Sequence, residues 1–131
     1  MAIDIISRQG NDYVTIEGFC ATSGTTSGQV TITVFASPTI PINSAVNVEA
    51  HVVAIQTDFS AIRTARVMGS FFRAAGDLTM PNNPIVETVG VLGVTVSLQA
   101  NIVNQTIEVT VQGQAGKNIN YRATVYLTSY R

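Results

Sequence analysis

Three segments near the end of the chain alternate apolar and polar residues with a period of two. Val94, Val96, Leu98, Ala100 and Ile102 interleave with Thr95, Ser97, Gln99 and Asn101. Ile107, Val109 and Val111 interleave with Glu108, Thr110 and Gln112, and Ile119, Tyr121, Ala123, Val125 and Leu127 with Asn120, Arg122, Thr124 and Tyr126. Successive side chains of a strand point to opposite faces, so this pattern predicts three strands with one face buried and one wet. The residue supply agrees. Valine, isoleucine and threonine make up 46 of 131 residues, against four leucines and three methionines. Branching at Cβ crowds a helix and suits a pleated sheet.

The earlier part of the chain reads the same way. Tyr13–Phe19 is expected as a strand, followed by a flexible, turn-rich stretch, Ala21–Gly28. Gln29–Ala36 places Val30, Ile32 and Val34 on one face, and prolines at 38 and 41 interrupt it. Val46–Gln56 turns Val46, Val48, Ala50, Val52 and Ala54 inward, and Ile62–Arg73 and Ile85–Val91 follow as strands. With Asn104-Gln105 as a two-residue turn, Ile102 would face Ile107 and both apolar rows would share one side. No window reads as a helix. The expected fold is all-β: an antiparallel sandwich of about eight strands, jelly-roll-like, in one domain over residues 1–131. Ala2–Ser7 and the turn Gln9–Asp12 are expected to supply an N-terminal strand that pairs with a neighbour's sheet edge.

Charge is scarce. Eight acidic and seven basic residues leave a net charge of −1, and 11% of the chain is charged, where surfaces of free-standing small domains carry about 25–35%. A chain this apolar either hides much of its outside against partners or relies on Thr, Asn, Gln and Ser for solubility, and a subunit of an assembly is expected. Nucleic acid is not expected as a partner, because seven scattered basic residues make no phosphate-binding cluster; Arg63, Arg66 and Arg73 come nearest. A membrane partner is not expected either, since no apolar run approaches about 20 residues. Cys20 is alone and reads as a small buried hydrophobe without a basic neighbour.

Catalytic signals are weak. His51 is the one histidine, on the strand face that carries Glu49 and Val53, and a strand histidine without a positioned nucleophile reads as a surface or interface residue. The carboxylates stand apart, without metal-ligand spacing, although two distant ones could meet in space as in sugar hydrolases. Tyr13, Tyr121, Tyr126 and Tyr130 read as packing or interface anchors before sugar platforms. No catalytic, cofactor-binding or metal residue is assigned, no cofactor is expected, and the chain is expected not to be an enzyme. Gly113–Asn118, with its Gly-Lys pair, fails as a phosphate loop. Val111 stands where the first glycine should be, Asn118 replaces the hydroxyl, and a strand follows instead of a helix. Gly113 and Gly116 are expected in a hairpin turn.

The same stretch carries a resemblance. Val111, Gly113, Ala115, Gly116, Ile119, Asn120, Tyr121, Ala123 and Val125 are similar to a terminal hairpin pattern of tailed-bacteriophage structural proteins, Val-x-Gly-x-Ala-Gly-x-x-Ile/Val-Asn-aromatic-x-Ala-x-Val. Tyr121 stands where tryptophan is more usual. Val48–Ala54 followed by Gly69–Arg73 resembles the middle of such proteins, and together the two segments cover about half the chain. The resemblance implies a virion β-sandwich, often trimeric, and brings no catalytic residues with it. The expected function is a capsid decoration (cement) protein on the capsid surface of the virion, made in the host bacterial cytoplasm. Its expected partners are itself, as a homotrimer, and the major capsid protein, whose joints it would bridge. The alternative is a tail-fibre, spike or baseplate module that binds host surface carbohydrate through loops such as Ala21–Gly28 and Leu78–Pro84. A start at Met1 and an end on the terminal hairpin, leaving no shaft, is expected to favour decoration.

Overall fold

A computed structural model describes residues 2–10 and 13–130, with side chains over residues 22–129. Among these there are nine strands and no helix: β1 (Ala2–Gly10), β2 (Tyr13–Ser27), β3 (Thr31–Ala36), β4 (Ser44–Gln56), β5 (Ile62–Arg73), β6 (Ile85–Gly90), β7 (Thr95–Asn101), β8 (Thr106–Gln112) and β9 (Asn118–Tyr130). They form two sheets, one of order β1-β2-β9-β4-β5-β6 and one of order β3-β8-β7, in which every pairing is antiparallel. This is the expected antiparallel sandwich. The chain crosses between sheets after β2, β3, β6 and β8, and β4, β5 and β6 run as a meander.

The core lies between the layers and follows the alternation. Val46, Val48, Ala50, Val52 and Ala54 of β4 are buried, as are Ile119, Tyr121, Ala123, Val125 and Leu127 of β9. Register sets small against large, with Ala54 beside Tyr121, Ala50 beside Val125 and Val52 beside Ala123, so two inward rows share one plane without overfilling it. The second sheet supplies Phe35, Val96, Leu98, Ile107, Val109 and Val111 from above. Tyr121 brings a hydroxyl into this core, and Thr26 meets it, with Oγ1 and the phenol oxygen 2.8 Å apart. Burial pushes the Tyr121 phenol up, and the Thr26 hydrogen bond offsets part of the rise.

Several local expectations are corrected. Ala21–Ser27 is the second half of β2, paired along β9 from Ala21↔Thr124 to Ser27↔Asn118; its small polar residues suit a strand that is half exposed. In β3 the register shifts between Thr33 and Phe35, and this bulge turns both Val34 and Phe35 inward; Val30, before the strand begins, is exposed. The β7–β8 turn holds four residues, because Asn101 pairs with Thr106 and Ala100 with Ile107. Asn101 Oδ1 accepts from the amides of Val103 and Asn104, closing the loop two residues before the expected register. A shift of two keeps the faces unchanged, but puts Ile102 and Val103 out in water. The N-terminal strand pairs with β2 of its own chain, Ala2↔Ala21 to Gly10↔Tyr13, and is the outermost strand of its sheet, so this pairing leaves the expected contact with a neighbour's edge untested; Met1, Asn11 and Asp12, part of the expected partner-pairing segment, lie outside the described residues.

The Gly113–Lys117 turn is not a hairpin turn but a corner that carries the chain from one sheet to the other. Its two glycines answer different needs. A Cβ on Gly113 would stand 2.5 Å from the Gly28 carbonyl oxygen and 2.5 Å from Thr26 Oγ1, whereas Gly116 has open space around it and a φ of +74°. The first permits close approach of two backbones and the second a left-handed bend.

Candidate functional site

The outer face of the six-stranded sheet gathers the polar side chains that the alternation leaves outside. The β4–β9 register sets Glu49 beside Tyr126, His51 beside Thr124, Val53 beside Arg122 and Ile55 beside Asn120. On one flank, Ser23 and Thr25 of β2 stand next to Arg122 and Asn120. On the other, His51 neighbours Arg66 and Val53 neighbours Thr64 in β5, and Arg66 and Thr64 neighbour Glu87 and Val89 in β6. One row, Ser23, Arg122, Val53, Thr64 and Val89, therefore runs across five strands, and beside it Thr124, His51, Arg66 and Glu87 run across four.

An ion-pair network ties three of these strands. Arg66 Nε donates to Glu49 Oε1 at 2.5 Å and its Nη1 to Glu87 Oε1 at 3.1 Å. His51 Nε2 lies 3.6 Å from the same Glu49 oxygen, and its ring meets Tyr126 edge-on, with centroids 5.9 Å apart. The Glu49 hydrogen bond pushes the Arg66 guanidinium up from its ordinary value. These groups are solvated, so the network chiefly orients side chains and fastens the short β6. On the other flank, Thr25 Oγ1 donates to Asn120 Oδ1 at 3.2 Å and Ser27 Oγ to Asn118 Oδ1 at 2.9 Å.

Two shallow depressions lie in this surface. One, of ≈ 550 Å³, is bordered by Ser23, Thr25, Val53, Asn120 and Arg122; the other, of ≈ 370 Å³, by His51, Val53, Thr64, Arg66, Glu87 and Val89. Val53 borders both, so the two lie side by side, and together they form the trough of this face. Its lining alternates guanidinium, amide, imidazole and hydroxyl groups with valine. Such a lining can grip a ligand that carries many hydroxyls on an apolar frame, by planar hydrogen bonds at its edges and van der Waals contact beneath. Arg122 has no carboxylate partner among the described residues, which leaves its donors for a ligand.

The other residues singled out in the sequence are dispersed. Arg63 and Arg73 point away from Arg66: Arg63 donates to the Leu92 and Gly90 carbonyls, and Arg73 to those of Gly76 and Ile40. The three form no cationic patch. Tyr121 is buried, Tyr126 is outside, and the side chains of Tyr13, Cys20 and Tyr130 lie outside the described residues. Of the expected binding loops, Ala21–Gly28 contributes Ser23, Gly24 and Thr25 to the trough, from within a strand. In Leu78–Pro84, Leu78 enters the core and Thr79 bridges to Phe72.

No protein-family model matches this chain, and no curated protein matches it. Among solved structures, it is similar to a tailspike protein gp49 from Acinetobacter baumannii bacteriophage Fri1, described as a capsular polysaccharide depolymerase. The identity is 12% and the TM-score 0.39, over 95% of this chain and 19% of that one, so this chain spans about a fifth of that protein's length. The expectation that the chain is not an enzyme is withdrawn, because the structure it is similar to carries the name of a depolymerase. A likeness this distant gives the chain no activity of its own.

Proposed function

We propose that this chain is a structural module of a tailed-phage virion, placed in a tail fibre or spike, whose outer sheet face binds host surface carbohydrate. The trough across β2, β9, β4, β5 and β6 carries the reading: amide, hydroxyl and guanidinium groups of β2, β9 and β5 flank Val53 in two adjacent depressions. The Val111–Val125 pattern shared with phage structural proteins supports the virion setting. A sheet is a stiff support, so the backbone under the trough needs no rearrangement on binding.

The test is retention of the purified protein in gels containing capsular polysaccharide or lipopolysaccharide from the phage's host. Arg122→Ala and Asn120→Ala should each weaken retention about tenfold, the scale of a lost charge-assisted or paired hydrogen bond, with unchanged circular dichroism. Full retention by both variants would remove the trough from the mechanism.

A second reading is supported by a separate observation. Every residue of β6 is exposed, including Ile85, Val86 and Val89, and Val91 beyond it is 80% exposed. Apolar residues on an open sheet edge suit burial against another subunit. A cement protein that self-associates as a trimer and bridges coat subunits would use such an edge, as would a trimeric spike.

A further inference from the structure

The trough on the outer sheet face is charged unevenly. Its β2–β9–β4 end is bordered by one charged residue, Arg122, together with Ser23, Thr25, Asn120, Val53 and Ile55. No hydrogen bond or ion pair to another described residue engages the Arg122 guanidinium. Glu49 and Glu87, the carboxylates facing the rest of the trough, are both taken by Arg66. Register places Glu49 beside Tyr126, four residues from Arg122, which is about 13 Å along the strands. Glu87 is on β6, three strands from β9, which is about 14 Å across the sheet. Neither carboxylate neutralises Arg122.

Hydrogen-bond polarity points the same way. Thr25 Oγ1 donates to Asn120 Oδ1 at 3.2 Å, so the carbonyl of that amide is engaged and its N–H groups are left for a ligand. With the Arg122 fork beside them, unpaired donors outnumber unpaired acceptors at this end. Sugar hydroxyls both donate and accept, whereas a carboxylate only accepts, and it meets a planar guanidinium through two parallel hydrogen bonds. Val53, 41% exposed, and Ile55 give the ring that carries the carboxylate an apolar floor.

We infer that this end of the trough is a subsite for a carboxylate-bearing sugar of the uronic acid type, with its carboxylate on Arg122 and the Asn120 amide and its ring over Val53 and Ile55. The inference rests on the carbohydrate reading of the same face and adds the class of sugar: the polymer recognised is acidic. The carboxylate sets the selectivity, because a neutral sugar in its place leaves the guanidinium without the paired bond.

The probes are capsular polysaccharide of the phage's host in its native form and the same polymer with its carboxyl groups reduced to primary alcohols, each cast in affinity gels and run with the full-length protein. The native polymer should retain the protein about tenfold more strongly than the reduced one, the scale of a hydrogen bond to a charged group. Arg122→Gln gives up no contact within the fold, so its circular dichroism should be unchanged. It should bind the native polymer about tenfold more weakly and bring the two polymers to within about twofold of each other. Equal retention by the two polymers, strong retention by a native polymer that holds no carboxylate, or a preference that survives in Arg122→Gln would overturn the inference and leave the carbohydrate reading standing. Dextran sulfate that competes as well as the native polymer would reduce the contact to general polyanion binding and overturn it too. Retention by neither polymer would refute the carbohydrate reading, and this inference with it.

Discussion

The buried pair of Thr26 and Tyr121 offers the sharpest test of how this core is built. Thr26 is 2% and Tyr121 3% exposed, and their oxygens are 2.8 Å apart. Tyr121→Phe leaves Thr26 Oγ1 buried and unpaired, and Thr26→Val does the same to the phenol. Each should cost about 2 kcal/mol, within the range for a stranded polar group. The double variant removes both groups and strands neither, so it should cost less than either single, about 1 kcal/mol or below, against about 4 if the effects were additive. For a chain of 131 residues, an unfolding entropy of about 2.1 cal/mol/K per residue converts 2 kcal/mol into roughly 7 °C of Tm. Urea unfolding of all four proteins, with melting curves alongside, measures the cycle. Additive losses, or single variants that each lose less than about 0.5 kcal/mol, would refute the reasoning.

The two corner glycines should separate by mechanism. Gly113→Ala drives a Cβ to 2.5 Å from a backbone oxygen and should cost about 3 kcal/mol, whereas Gly116→Ala meets only an unfavourable φ of +74° and should cost about 1 kcal/mol; the reverse order in denaturant titrations would contradict the geometry. The Tyr121 phenol is raised above its ordinary 10.0 by burial, so the folded state holds the proton longer than the unfolded one. Its contribution is complete below pH 10.0 and is lost as pH rises through the folded value, and Tyr121→Phe should flatten that alkaline decline in stability. Asp58 behaves oppositely: hydrogen bonds from the Ser60 hydroxyl and amide lower its carboxyl from 3.8. The stability this supplies is present above pH 3.8 and lost as pH falls through the folded value. Ser60→Ala should move the Asp58 carbon resonance titration back up, and an unmoved titration would count against the hydroxyl bond.

The fold was legible wherever alternation ran unbroken. The inward rows of β4, β7, β8 and β9 follow directly from every second residue being apolar, because one face of each strand must leave water. Legibility failed where a local hydrogen bond or a long-range pairing decided. Asn101 closes the β7–β8 loop early through its side chain, and the bulge at Thr33/Phe35 breaks the period in β3. Ala21–Ser27 has turn composition, yet pairing with β9 holds it straight. The trough was only half legible. Asn120, Arg122, Glu49 and His51 were on outward positions by parity, but the meeting of Asn120 and Arg122 with Ser23 and Thr25 on one side and Val53 on the other depends on β9 lying between β2 and β4. That order is set by contacts more than 90 residues apart, such as Thr26 with Tyr121.

The most direct test of the tail-module proposal is the number of copies of this chain per virion, measured against the major coat protein by quantitative peptide mass spectrometry of purified particles. A fibre or spike module should be present at a few copies to a few dozen per particle, far below the coat protein. A ratio near one copy per coat subunit, or absence from the particle, would contradict it.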